Sequence, residues 1–598
     1  MPPIRRRPPQ KAADTRKAIK NILSLLKDYR LKLAATFVCA VISTLFSIVS
    51  PLLIGMATTT IFNGINAIMH NTGTMNFNRL FMLLTTAVVL YVVSAVFSYL
   101  QSWFLIDIST GISYNLRKRL MDKIMMLPLK STDENRRGDI LSRITNDIDS
   151  LQTGITQAFL QLMTAVITII GVFIMMLTIN LWMTLATVVL VPVSFIVIRF
   201  ITKHSQSYFL KQLVYKGSLN SQIEETFTGH DIIRVFNQED TEMEKFEKDN
   251  DKWFSHEWKS QFFSSLNGPL MNFISNFAYV VIAVLGAVFV VQKAMAVGDI
   301  LAFFQYIKNF TQPIQQITRV MNLVQTAMAA SERIFEFLDY ENEENTSDVK
   351  ITTFKNEISF ENVSFGYDSE MIIRNLSFTV RKGEKIAIIG ETGAGKTTIV
   401  KLLMRFYDVS SGEIKIDGVN INEYDKNSLR RLMGMVLQDS WLFSDTIANN
   451  IRYGKLKATD SEIRDVSRKV HADSFINHLP DNYNNVLNED SDNISHGQKQ
   501  LLTIARTILA DRQILILDEA TSSVDTRLEK LIQQAMDTLT DDKTSFIIAH
   551  RLSTIQNADK IIAIENGQIT EMGTHKELLA KKGYYYNTLM SQDRENSR

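Results

Sequence analysis

Apolar positions come in long unbroken runs over the first 330 residues, whereas from about residue 340 onward charges recur every few positions. A hydrocarbon core about 30 Å thick is crossed by about 20 helical residues rising about 1.5 Å each. Residues 33–62 carry no ionised side chain, and neither do residues 80–106 between Arg79 and Asp107; they predict spans one and two. Residues 150–198 are uncharged over about twice the length of a span. Thr178, Ile179 and Asn180 make a natural turn near their middle, which predicts spans three and four. Residues 261–292 predict span five and residues 300–323 span six, the least apolar because it holds Lys308 and Arg319.

Orientation follows from lysine and arginine. Residues 107–149 contain Arg117, Lys118, Arg119, Lys123, Lys130, Arg136, Arg137 and Arg143, and residues 199–260 are similarly charged, so both connections are expected in the cytoplasm. The connections at 63–78, 178–181 and 293–299 are nearly free of cations and face outward, which leaves both termini inside. Alternating charge with apolar residues at helical spacing predicts that the two cytoplasmic connections are helices extending out of the membrane. A free-standing domain in either one lacks the apolar residues for a core.

The arm 1–30 carries Arg5, Arg6, Arg7, Lys11, Arg16, Lys17 and Lys20, then Ile22, Leu23, Leu25 and Leu26. It lacks the apolar core and small-residue site of a cleaved signal and reads as a cytoplasmic basic arm, with residues 1–12 expected as a plain disordered tail, ending in an interfacial helix. The organisation expected is therefore arm 1–30, six-helix membrane domain 31–330, linker 331–356 with Glu341, Glu343, Glu344 and Asp348, and a soluble domain 357–598. The formal net charge of +1 averages two unlike halves. The single cysteine, Cys39, excludes an internal disulfide and reads as a small packing residue, and nine scattered histidines show no zinc spacing.

The soluble half carries the chemistry. Residues 385–390 read as a buried strand running into Gly390, Glu391, Thr392, Gly393, Ala394, Gly395, Lys396, Thr397 and Thr398 and then a helix. This is a Gly-x-x-x-x-Gly-Lys-Thr phosphate loop in its strand-loop-helix setting. Backbone amides and the helix N-terminus cradle phosphate oxygens, Lys396 reaches the β and γ phosphates, and Thr397 holds Mg2+. Residues 514–517 form a second apolar strand ending in Asp518 and Glu519. Asp518 is placed to bind the magnesium shell and Glu519 to polarise the attacking water as general base.

With these elements in place, the chain resembles a half-transporter of the ATP-binding cassette exporter family over about residues 20–590. The resemblance implies an all-α transmembrane domain of six helices with long cytoplasmic extensions, joined to an α/β P-loop nucleotide-binding domain. Tyr367 matches the aromatic that stacks on adenine, and Gln438 the glutamine that contacts Mg2+ and senses the membrane domain. Glu489 matches an acidic residue near the coupling surface, Asp525 the aspartate of the D-loop, and His550 the switch histidine on the γ phosphate. The run from Arg137 to Arg143, with Asp147 beyond, is similar to the family's first cytoplasmic loop. Val235, Phe236, Asn237, Gln238 and Glu239 are similar to the second loop, and residues 330–335 to the joint before the ATPase. Short coupling helices are expected near 127–136 and 228–236.

One position departs from the family pattern. The signature Leu-Ser-Gly-Gly-Gln reads Ile494, Ser495, His496, Gly497, Gln498. In the family, two ATPase domains stack head to tail and each signature, here Ser495, Gly497 and Gln498, closes on ATP held by the partner. His496 either holds the backbone off the phosphate or adds a donor, so the site built with this signature is expected to be slow. An altered signature beside an intact Glu519 suits one subunit of an asymmetric heterodimer; a homodimer tolerating His496 is the alternative. The resemblance further implies ATP and Mg2+ as cofactors, a lipid bilayer and a second half-transporter as partners, no nucleic acid, and a bacterial cell membrane as location. It implies export of a drug, lipid or peptide by alternating access. A regulatory membrane ATPase without net transport and a soluble ATPase are the competing readings, the latter opposed by the spans. Phe46, Trp103, Phe159, Trp182, Phe273 and Phe304 would suit an amphiphile, but residues of this kind more often face lipid or pack, and no substrate residue is assigned.

Overall fold

The structure is a computed structural model describing residues 14–596 apart from 135–136, 346, 368–369, 438–439, 489–492, 519–525 and 550–551. Contacts divide the chain into two compact units, Met1–Leu127 with Glu134–Glu341, and Pro128–Asp133 with Asn342–Arg598.

The first unit is helical. Its long helices are Arg30–Met69, Phe77–Met126, Ile148–Ile179, Leu181–Thr228, Glu239–Ser265, Asn267–Val291 and Val297–Leu338, preceded by Thr15–Leu26. Among the described residues four stretches are long and apolar enough to cross a membrane, namely Thr15–Met69, Phe77–Met126, Gly138–Ile179 and Glu239–Val291. That is two fewer than the expected six. The expected sixth run is helical but diluted by Gln305, Lys308, Gln312, Gln315 and Gln316, and the fourth lies in Leu181–Thr228. In the apolar window of Phe77–Met126 only 6% is buried, and Phe81, Val88, Val92, Tyr99 and Ile106 stand exposed. A helix with large apolar side chains outward on such a scale is solvated by lipid rather than water.

Asn180 ends one helix and starts the next: its side chain accepts from the amides of Trp182 at 3.0 Å and Met183 at 3.1 Å. Helices approach closely where side chains are small. A Cβ on Gly298 would lie 1.7 Å from the Gly55 carbonyl oxygen, and one on Gly154 2.4 Å from the Ala327 Cβ. The amphipathic helix Thr15–Leu26, capped by Asp14 on the amides of Arg16 and Lys17, buries Leu26 in a cluster with Ile108, Leu116, Leu120, Ile148 and Phe337. Arg143–Asp147 forms a π-helical turn. Around it, buried Asp147 takes the Arg333 guanidinium at 2.7 Å, and Arg143 donates to Asp139 at 2.9 Å and to the Arg333 carbonyl at 3.1 Å. Short helices Leu129–Glu134 and His230–Val235 occupy both places expected for coupling helices. Residues 331–338, read as the start of the linker, continue the last long helix.

The second unit holds two sheets. One is antiparallel, ordered β2-β1-β4-β5 with β1 Glu357–Tyr367, β2 Glu370–Arg381, β4 Ser411–Ile416 and β5 Val419–Asn420. The other is ordered β10-β9-β3-β8-β7-β6, from β3 Lys385–Gly390, β6 Met433–Val436, β7 Ile514–Asp518, β8 Thr544–Ile548, β9 Lys560–Glu565 and β10 Gln568–Gly573. β7 and β8 are buried at every residue, because a parallel sheet is covered on both faces. Ala387, Ile389, Leu515, Leu517 and Ile547 face one core with the helices from 447 to 540. Ile386, Ile388, Ile514, Ile516, Phe546 and Ile548 face the other, shared with the antiparallel sheet and with Ile399 and Leu403 of helix Lys396–Leu403. The acidic stretch before β1 is pinned rather than loose. Glu343 grips Arg430 through two bonds at 2.8 and 2.6 Å, and the amides of Ile351 and Phe354 donate to Ser428 and Gln513.

Candidate nucleotide-binding site

The register of the parallel sheet lines up chemistry from distant parts of the chain. Ile388 of β3 pairs with Ile548 of β8, and Ile548 with Asp518 of β7, while Val436 of β6 pairs with Leu517. The carboxyl ends of four neighbouring strands therefore open on one edge, where open α/β sheets bind ligands. Out of that edge come the phosphate loop after Gly390 and the carboxylate of Asp518.

The loop itself has the backbone its sequence requires. Gly390, Gly393 and Gly395 have φ of 155°, 89° and 97°. At Gly390 a Cβ would meet the Ile564 carbonyl oxygen at 2.3 Å, and at Gly395 it would meet Ile373 Cδ1 at 2.5 Å. Only glycine fits both the conformation and the space. Ala394 closes the turn by donating to the Glu391 carbonyl at 3.1 Å. Glu391, Thr392 and Gly393 are exposed and Ala394, Gly395 and Thr398 buried, so the loop presents an open concave face on a fixed base. Thr397, in the first turn of Lys396–Leu403, is exposed.

Lys396 is 7% exposed and its Nζ donates to the carbonyls of Gly390 at 2.6 Å and Glu391 at 3.0 Å. Burial pushes its pKa below the ordinary lysine value, and the charge of Asp518 opposes that shift. A desolvated ammonium held by neutral carbonyls is poised to take a phosphate oxygen, a stronger partner. Asp518 is 9% exposed at the end of β7.

Tyr367 ends β1, half-buried. Its ring meets Tyr407 edge-on at 5.1 Å and Phe365 at 5.0 Å, with Lys401 Nζ 6.0 Å above it. Tyr407 and Lys401 went unnoticed in the sequence, since neither belongs to a motif and only folding brings them to Tyr367. Farther along the chain, Ser495 caps helix His496–Ala510: it accepts from the Gln498 amide at 3.3 Å and its own amide donates to the Gln498 side chain at 2.9 Å. Gly497 is buried, and His496 is exposed in the first helical turn. The histidine thus leaves the helix start regular. Gln438, Glu489, Glu519, Asp525 and His550 lie outside the described residues. Along the chain Gln438 follows β6 by two residues, Glu519 directly follows β7, and His550 follows β8 by two.

A phosphate-loop ATPase on the same chain as a lipid-solvated helical unit defines an ATP-driven membrane transporter. Residues 33–314 match the family described as ABC transporter transmembrane region, and residues 373–522 that described as ABC transporter. The chain is 44% identical over 504 residues to a fatty acid ABC transporter ATP-binding/permease protein of Mycobacterium bovis, covering 84% of this chain and 80% of that one. It is 33% identical over 579 residues to an ATP-dependent lipid A-core flippase of Syntrophus aciditrophicus, covering 96% and 95%. To a putative multidrug export ATP-binding/permease protein of Bacillus subtilis it is 32% identical over 585 residues, covering 96% and 99%. The chain belongs to the ATP-binding cassette transporter family, as a half-transporter of the exporter type that couples ATP hydrolysis to transport.

Proposed function

We propose that this chain is one of two subunits of an exporter that moves a lipid-like or amphiphilic drug-like molecule out across the bacterial cell membrane by alternating access. The observation that carries this is the shared sheet edge: Lys396, its loop and Asp518 open beside one another on a chain whose other unit is solvated by lipid. Relatives named for fatty acid, lipid A-core and multidrug export support the substrate class. Six spans, with both termini and the ATPase in the cytoplasm, suit the cation-rich connections at 107–149 and 199–260.

In this reading Tyr367 stacks on adenine and the amides of the 390–397 loop wrap the phosphates. Lys396 leaves its two carbonyls for the β and γ phosphates. The exposed hydroxyl of Thr397 and the carboxylate of Asp518 are hard oxygen donors of the kind Mg2+ takes, with Gln438 as a further ligand. The ion supplies charge neutralisation between the phosphates. Glu519 takes the proton of the attacking water and His550 holds the γ phosphate. Ser495, Gly497 and Gln498 seal the ATP of the opposite subunit, with Asp525 between the two sites. Closure is driven because ATP binds the paired cassettes more tightly than the separated ones. The exposed His496 then meets whatever approaches the signature, which favours a partner subunit carrying the unaltered glycine and a slow site where this signature closes on the partner's ATP.

Reconstitution of the assembled transporter in liposomes tests this. ATP-dependent substrate uptake into inside-out vesicles is expected, with E519Q lowering ATPase activity by at least about a hundredfold. His496→Gly should raise the rate at the site this signature closes. ATPase activity untouched by E519Q, or full activity in isolated monomers, refutes the reading.

A further inference from the structure

The helix Val297–Leu338 carries a polar face for which none of the roles above accounts. Its rotation is fixed from the other side. Ala302, Phe303, Tyr306, Ile307 and Phe310 are at most 6% exposed. The Tyr306 hydroxyl donates to the Ile48 carbonyl at 3.0 Å, and the Gly298 amide to the Thr59 hydroxyl at 3.1 Å. Gln305, Lys308 and Gln312, three and four residues apart, therefore share the opposite face, and all three stand exposed. Leu301, one turn earlier on that face, is 41% exposed.

Lys308 follows the first helical residue, Val297, by eleven positions, about 16 Å along the axis. The helix start is polar, since the Asp299 carboxylate takes the Ala296 amide at 3.0 Å. Lys308 thus lies well inside a hydrocarbon core about 30 Å thick. An ammonium at that depth is too far from either surface to snorkel, so it faces a water-lined path rather than lipid. Its charge also calls for a counter-ion. The runs 33–62, 80–106, 150–198, 261–292 and 300–323 contain Lys308 and Arg319 but no aspartate or glutamate. We infer that Lys308, with Gln305 and Gln312 as flanking hydrogen-bond donors, binds the anionic headgroup of the transported amphiphile. The cargo brings the negative charge that the spans lack, as a carboxylate or a phosphate, and Leu301 offers apolar surface to its chain. This rests on the functional reading above, with its six spans, and narrows the substrate class to anionic amphiphiles.

The test titrates ATPase stimulation of the assembled transporter in liposomes with hexadecanoate, hexadecyl phosphate and hexadecyltrimethylammonium, which share a chain and differ in headgroup. Wild type should reach half-stimulation at about tenfold lower concentration with at least one anion than with the cation, the scale of one charge-assisted hydrogen bond. The better of the two anions distinguishes carboxylate from phosphate. K308Q should abolish the preference, K308R should keep it and K308E should reverse it, a reversal that a merely structural lysine would not give. An anion preference that survives in K308Q or K308E overturns the inference. So does a wild type that favours the cation or responds to none of the three, and so does failure of all three variants to assemble, which assigns Lys308 to folding alone. E519Q should stay inactive with every amphiphile. Activity there sinks the functional reading itself, whereas an inactive E519Q beside an unmoved K308Q sinks only this inference.

Discussion

Asp147 and Arg333 bind each other in the first unit, but their surroundings are unequal. The Asp147 side chain is 7% exposed and the Arg333 side chain 40%. Removing one partner of a buried pair costs about 3–5 kcal/mol, because a charge is stranded away from water. Arg333→Met strands Asp147 in that way and should cost about 3 kcal/mol. Asp147→Asn leaves an arginine that turns to solvent, so screening cuts the loss to about 1 kcal/mol. The double variant Asp147→Asn with Arg333→Met strands no charge and should return to within about 1 kcal/mol of wild type, giving a coupling energy of about 3 kcal/mol. Denaturant unfolding of the detergent-solubilised full chain, followed by tryptophan fluorescence, reads all four proteins. Equal losses in the two single variants, or losses that simply add in the double, would refute the argument from burial. The pair joins the π-helical turn at 143–147 to the last long helix, so the same variants should also weaken substrate-stimulated ATPase activity.

Gly298→Ala puts a methyl group 1.7 Å from the Gly55 carbonyl oxygen and 2.4 Å from Thr59 Oγ1, so the two helices must part at a cost of about 1–3 kcal/mol; an unchanged melting temperature would contradict the packing. The Arg430 guanidinium, with Lys426 adding, holds the Glu343 carboxyl below its usual value of 4.5. Its contribution is complete above that value and fades as the pH falls through the lowered one. Melting of the full chain between pH 5 and pH 3 should therefore decline more steeply in wild type than in E343Q, and parallel curves would show that the pair contributes nothing.

Much of this was legible because it is local. Charge-free runs mark helices whose environment is lipid, and Asn180 stands where the uncharged stretch 150–198 had to turn. The glycines of the phosphate loop announce themselves because positive φ and close approach leave no other choice. The sixth run, expected to be the least apolar, is helical, but its glutamines and Lys308 dilute it further than the other runs. Residues 331–338 read as the start of the linker, yet helical spacing of Ile334, Phe337 and Leu338 carries the helix on, and the acidic stretch after it is held by Arg430. Tyr407 beside Tyr367, and Arg506 beside Trp441, gave no signal, since partners 40 and 65 residues apart share no spacing.

From the sequence alone came the kind of each segment: which stretches belong in a bilayer, which loop wraps phosphate, which strand ends in carboxylates, and where a signature glycine is a histidine. Such properties depend on one residue and its near neighbours. The tertiary structure decided what stands beside what. The order β3-β8-β7-β6 brings Gly390, Ile548, Asp518 and Val436 to one edge, and burial sets which charges are stranded and which are solvated. Strand order and burial arise from packing among residues far apart in the chain, which no local pattern encodes.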